Sequence, residues 1–212
     1  MTITFPRTLP NLKFRTSTWR EVDVTSDMAS PFTGQSQVIV WPGQWFECTL
    51  TLVQMKRADS QQWDAWLSSL RGKSGTFWLH NPAKRLPLGS ASATPGAPRI
   101  FGAGQTGGEV RLAGLPINAP AYLLPGDMIQ LPSVLAGRSR LHKVLETVAS
   151  DGSGQARFAI WPDLRESPPD AWGVAVSVAS GVFHRTSDIV EVPTDTAGFT
   201  GIAFDVKERL RD

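Results

Sequence analysis

From Phe46 to Leu52 apolar and polar residues alternate, with Phe46, Cys48, Leu50 and Leu52 on one side and Glu47, Thr49 and Thr51 on the other. A period of two predicts a half-buried strand. Pro42-Gly43 is a turn signal that folds this strand back on Gln37–Trp41. Trp41 and Trp45 flank that turn and are free to point opposite ways. The period then changes. Trp63, Trp66, Leu67 and Leu70 fall at i, i+3, i+4 and i+7, which is one helical face. A helix is predicted over about 58–71, with these four residues as its core. Asp59 is the expected N-cap, and Gln62 completes a capping box. Gly72 stands where a C′ glycine belongs, with Arg71 and Lys73 near the negative end of the helix dipole. Thr76–Leu79 returns as a short strand.

Shorter β runs surround this hairpin-helix-strand unit. Asn11–Thr16 and Trp19–Thr25 precede it. Residues 82–126 shift to Gly, Ala and Pro with little apolar periodicity, as expected for turns and short strands. Gly126-Asp127 turns into Met128–Leu131. Leu141–Val148 reads as a strand, Asp151-Gly152-Ser153-Gly154 closes a hairpin, and Ala156, Phe158 and Ile160 alternate in the return strand. Val174–Val178, Val182–His184 and Gly198–Val206 complete the set, ahead of a charged tail, KERLRD. The expected fold is mostly β: a sandwich- or barrel-like N-terminal domain with one packed α-helix, plus an inserted small barrel-like β domain. The expected division is residues 1–81 with 181–212 as one discontinuous domain, and 82–180 as the insertion. Chain termini commonly lie close together, which suits that arrangement.

Composition narrows the picture. At 212 residues the chain is long enough to bury a core without staples. Its 19 Gly and 16 Pro support many turns over long helices. A formal charge of +2, without a Lys/Arg cluster, argues against nucleic-acid recognition. Cys48 is the single cysteine, so no intrachain disulfide forms, and it reads as a small buried hydrophobe made in a reducing cytosol. No stretch reaches the roughly 18–20 apolar residues of a membrane span. The first residues lack the apolar core of a signal peptide.

Candidate chemistry is sparse. Gly102-Ala103-Gly104-Gln105-Thr106-Gly107 matches G-x-G-x-x-G, with Asp127 about twenty residues on. The dinucleotide reading fails because Glu109–Leu112 alternates like a strand, and Pro116 and Pro120 bar a following helix. His80, His142 and His184 have no neighbours at metal-ligand spacing, and the last two read as surface or strand-pairing residues. Asp163 and Glu166 read as solvated loop acids rather than a glycosidase pair. The Asp151 turn has too few oxygen ligands for calcium. No catalytic, cofactor or metal residue is assigned. Of the eight tryptophans, Trp161 and Trp172 remain as candidate glycan or partner contacts, and Trp41 and Trp45 with Glu47 as candidate interface residues.

These residues carry a family resemblance. Trp41 and Trp45, then M-x-R-A-x-x-x-x-W-x-A-W-L-x-x-L-R-G-x-x-G-T-F-x-L over Met55–Leu79, then Pro82 and Leu86-Pro87-Leu88-Gly89, resemble the distal tail proteins of long-tailed bacteriophages. Pro125–Arg165 is similar to the second unit of those proteins, and G-I-A-F-D-V-K-E-R-L to their ending; the likeness runs from about Val38 to Leu210. The resemblance implies a non-enzymatic virion protein, assembled in the host cytoplasm and sited at the tail tip. It implies a ring, usually of six copies, joining the tail tube protein to the baseplate hub and fibre proteins, with DNA passing only through the lumen. Head-to-tail rings need two different complementary patches, and the 37–52 hairpin with its strand edge is the candidate for one of them. The alternatives are a host-surface carbohydrate-binding tail module and another minor tail or baseplate protein. Against larger members of that family, no large C-terminal carbohydrate-binding domain is expected in these 212 residues.

Overall fold

The computed structural model describes residues 3–11, 14–135, 138, 140–194 and 200–210. Its elements run β1 (Phe14–Ala29), β2 (Ser36–Leu52), α1 (Arg57–Ser69), β3 (Thr76–His80), β4 (Arg99–Ile100), β5 (Gly107–Ala113), β6 (Met128–Leu131), β7 (Arg140–Val144), β8 (Ala156–Leu164), β9 (Ser180–Arg185) and β10 (Ala203–Glu208). Two five-stranded antiparallel sheets result, in the orders β1-β2-β10-β9-β3 and β4-β5-β8-β7-β6. The fold is mostly β, sandwich- and barrel-like, with one α-helix. The first sheet draws on both ends of the chain, and the second on its middle.

Helix α1 covers one face of the first sheet. Trp63, Trp66, Leu67 and Leu70 are all buried. Trp63 meets Phe14 and Phe204 at centroid distances of 6.2 Å, and Trp66 meets Phe77 edge-on at 5.0 Å. Each indole N–H also finds an acceptor: Trp63 Nε1 donates to Asn11 Oδ1 at 3.1 Å, and Trp66 Nε1 to the Thr8 carbonyl at 2.8 Å. The N-terminal segment thereby straps the helix. Burying a large apolar side chain contributes roughly 1.5–3 kcal/mol, so this cluster anchors the sheet.

The helix ends differ from expectation. The N-cap is Lys56, with no side-chain cap bond, and Asp59 lies inside the first turn. Helical pairing starts earlier because the N–H groups of Asp59 and Ser60 both reach the Lys56 carbonyl. Asp59 then acts through its charge at the positive end of the dipole. At the other end Leu70 is the C-cap, and Arg71 (φ 51°) enters the left-handed region before Gly72 (φ 69°).

Strand boundaries moved too. Pro42-Gly43 is no turn: β2 runs through it, and the reversal lies at residues 30–35. The strand from Leu141 stops at Val144. Residues 174–178 form no ladder. Instead Gly173 bridges Arg99 of β4 and Ala175 bridges Gln130 of β6, the two edges of the second sheet. That strap closes the sheet toward a barrel and covers its edges. Val174 and Val176 point into the core beneath, with Ile129, Phe158 and Ile160. The final strand is Ala203–Glu208; Gly198 and Phe199 of the expected run lie outside the described residues, as do Leu12 and Lys13 of the first.

Candidate functional site

Two features stand out: a hairpin that outruns its sheet, and a cleft at the hairpin's root. β10 pairs with β2 only between Glu47 and Thr51. β1 and β2 continue pairing with each other as far as Ala29 and Ser36. At the end of the root Asp23 pairs with Gln44, and at the start of the arm Val24 pairs with Trp41. Pro42 and Gly43 have no partners between these pairs, so they form a bulge. Proline lacks the N–H a ladder needs, and a Cβ on Gly43 would come within 3.0 Å of Val24 Cγ2. Both residues suit a bulge where β1 passes close.

The bulge inserts two residues, an even number, so strand faces are preserved across it. Val22 pairs with Trp45 and Val24 with Trp41, which puts both tryptophans on the same face; the open option that they point opposite ways is closed. Ser26–Ile39 and Met28–Gln37 extend this face. Trp41 is 53 % exposed and Phe32, in the end turn, 96 %. At the root, Lys207 Nζ lies 3.7 Å from the Trp45 ring centre, and Trp45 Nε1 donates to Glu47 Oε1 at 2.9 Å. Trp45 and Glu47 are half-buried and tied down, whereas Trp41 is open. Between Glu21 and Met55 the chain has four acids, Glu21, Asp23, Asp27 and Glu47, and no Lys, Arg or His.

The other sheet edges are occupied. Arg7 bridges β3 through Arg7 N–H to Thr76 O and Trp78 N–H to Arg7 O, each 2.9 Å. The 173–175 strap covers β4 and β6. Among the described residues, the outer edge of β1 carries no such segment. Open edges invite pairing with another chain.

The second sheet grips the root of this arm. Trp161 Nε1 donates to Asp23 Oδ1, and Asp163 N–H to Gln44 Oε1, at 2.9 and 2.8 Å. Lys143 pairs with Glu21, and Arg165 donates to the Gln44 carbonyl. Arg165 also reaches the buried Glu208 carboxylate at 2.9 Å. Trp161 was a candidate glycan contact; it is 9 % exposed, edge-on to Phe46 at 4.8 Å, and is not available to a ligand. β8 lies between two cores here, so successive residues are buried: Ile160 in the second cluster and Trp161 in the first. Trp172 is 51 % exposed on the second sheet's side.

Beside these contacts lies a cleft of about 780 Å³. Among the described residues its lining includes Arg138, Arg140, Arg165, Leu135, Glu166 and Leu210, with Gly43 and Gln44 of the bulge at one side. Arg140 Nη1 donates to the Arg209 carbonyl at 3.1 Å, and its Nε is 3.7 Å from Glu166 Oε1. Burial holds the Arg140 guanidinium below its ordinary pKa, and Glu166 opposes that shift. Of the two expected loop acids, Asp163 is exposed but belongs to a strand, and Glu166 lies in the bend after that strand but is half-buried. Asp163 sits in β8, Glu166 faces Arg140, and both line the cleft.

The remaining candidates are built into the scaffold. Gly102, Gly104 and Gly107 all have positive φ, in a loop that enters strand β5 rather than a helix. The Asp127 carboxylate accepts the N–H groups of Leu88 and Leu124 at 2.8 Å. Asp151 Oδ1 accepts those of Ser153 and Gln155 at 2.8 Å. His142, expected as a surface or strand-pairing residue, pairs with Ile129 in β7 and is buried, with Nδ1 2.7 Å from the Pro162 carbonyl. Burial pulls its pKa down to about 3. Burial pushes the Cys48 thiol up to about 12, so it stays protonated and unreactive at neutral pH. Burial also lowers His80 and His184, aided by Arg85 for the first and by Arg209, Lys207 and Lys73 for the second. Among the described residues no cluster of three or more His, Cys, Asp or Glu is placed to hold a metal ion. No helix among them is long and apolar enough to cross a membrane.

No protein-family model matches the chain, and no curated protein matches it.

Proposed function

We propose that this chain is a structural component of a bacteriophage tail tip. Copies join into a ring, of six in the family it resembles, that couples the tail tube to the baseplate hub and fibres. The observation that carries this reading is the arm: a long, two-stranded extension with an open edge, an exposed Trp41 and an exposed end, on a protein whose other edges are covered. The motifs between Val38 and Leu210 support the same reading. The role is geometric. The ring sets the symmetry of the tip, keeps a lumen open for DNA, and offers a rim to its neighbours; it performs no catalysis and needs no cofactor or membrane.

Native mass measurement with negative-stain imaging of the same sample tests this. Closed rings are expected. A strict monomer at high concentration, with or without tail tube protein, overturns the reading.

A second reading, a glycan-binding tail module, rests on Trp172 together with the exposed Phe101 next to β4. Exposed aromatic rings suit sugar faces. Quenching of tryptophan emission by host-wall glycans, abolished in Trp172→Ala, would favour it over the ring.

A further inference from the structure

We propose that the arm of one protomer docks its end into the root cleft of the next copy, so that the assembly is held head to tail. This rests on the ring reading and names the two surfaces that make it.

The cleft cannot take its own arm. Gly43 and Gln44 line the cleft, and the arm leaves from that point. Six cross-strand pairs, Val24–Trp41 to Ala29–Ser36, lie beyond the bulge. At about 3.4 Å per residue that places the end turn roughly 20 Å away. Phe32 at the end is 96 % exposed, so its ring is uncovered by the described residues of its own chain.

The two surfaces complement each other. Beyond the bulge, residues 24–41 hold one acid, Asp27, and no Lys, Arg or His; Asp27 and Met28 lie near the end of the arm and Phe32 in the turn. The cleft lining has three guanidiniums, Arg138, Arg140 and Arg165, against two carboxylates, Asp163 and Glu166. Leu135 and Leu210 add apolar wall for Met28 and Phe32. The volume, about 780 Å³, falls within the roughly 300–1,000 Å³ range of sites that engulf a sizeable group. Because arm and cleft are different patches, the contact is heterologous, as ring closure requires.

The test uses the full chain in two forms. The arm form carries Asp27→Asn with Phe32→Ser, and the cleft form carries Arg138→Glu. Leu135→Asp, at an exposed position, serves as a second cleft form whose folding is not at issue. Native mass spectrometry should find each form monomeric alone. A one-to-one mixture of arm and cleft forms should give mixed dimers and nothing larger, since each pair retains one intact contact. Rings from either form alone overturn the docking and leave the ring reading standing. A mixture that stays monomeric also overturns the docking. A wild-type protein that never assembles overturns both.

Discussion

The indole N–H of Trp161, in the second sheet, donates to the Asp23 carboxylate at the root of the arm over 2.9 Å. The bond ties the two sheets together where the arm begins. Trp161 also packs edge-on against Phe46, so its ring and its N–H act on different terms. Trp161→Phe should keep the packing and lose the bond, lowering unfolding free energy by about 1 kcal/mol. Trp161→Ala should cost about 3–5 kcal/mol by opening a cavity. Urea unfolding curves separate the two. A Trp161→Phe variant as stable as the wild type would show that the hydrogen bond carries no separate weight.

His142 makes stability depend on pH. Its folded pKa of about 3 lies below the ordinary 6.5. The unfolded chain takes up this proton as pH falls through 6.5, and the folded chain holds it off until about 3. The stabilisation is complete above pH 6.5 and drains away toward pH 3, at up to about 1.4 kcal/mol per pH unit. His80 and His184 are shifted in the same direction and add to the slope. In His142→Gln the slope of urea-derived stability between pH 6.5 and 4 should fall by about one proton. An unchanged slope refutes the assignment.

The missing helix cap offers a stabilising change. Lys56 is exposed, caps α1 without a side-chain bond, and sets a positive charge at the positive end of the dipole. Lys56→Asp supplies an acceptor for the first-turn N–H groups and reverses that charge. A gain of about 0.5–2 kcal/mol is expected. Thermal unfolding should move upward; a drop would mean that Lys56 has another structural role.

Deleting Pro42 and Gly43 together should leave the fold intact. The two residues have no cross-strand partners, and their loss joins the Val24–Trp41 and Asp23–Gln44 pairs into one ladder with faces unchanged. The direction of the arm should change. Spin labels at Thr33→Cys and Ser153→Cys, both exposed positions, would report this as a shifted distance distribution with an unaltered far-UV spectrum. An unshifted distribution would show that the bulge does not aim the arm.

The sequence exposed some of this plainly. Helix α1 and the Phe46–Leu52 strand each bury one face, and each pattern is readable in a short window. The burial of Trp161 and of His142 is not legible in the sequence because β7 and β8 lie between two cores, where both faces are buried and a period of two disappears. Pro42-Gly43 carries the local signature of a turn. Only pairing with β1, more than fifteen residues earlier, makes it a bulge. The arm itself depends on where β10 stops, some 160 residues away, and no local pattern records that. The Lys56 cap lost to Asp59 in sequence because a side-chain acceptor is visible there, whereas a carbonyl acceptor is not.

If copies assemble as proposed, the bulge bears on the size of the assembly. With one arm and one proposed receiving surface per copy, each docking step would repeat the same rotation, and an assembly would close only when whole steps complete a turn. That rotation would be set largely by the angle at which the arm leaves its sheet, and Pro42 and Gly43 stand at that joint. The number of copies would then depend on two residues at the joint, of which Gly43 only borders the cleft and neither lies at the docking end of the arm. A change there would redirect the chain toward a ring of different size or an open spiral, with both contact surfaces intact.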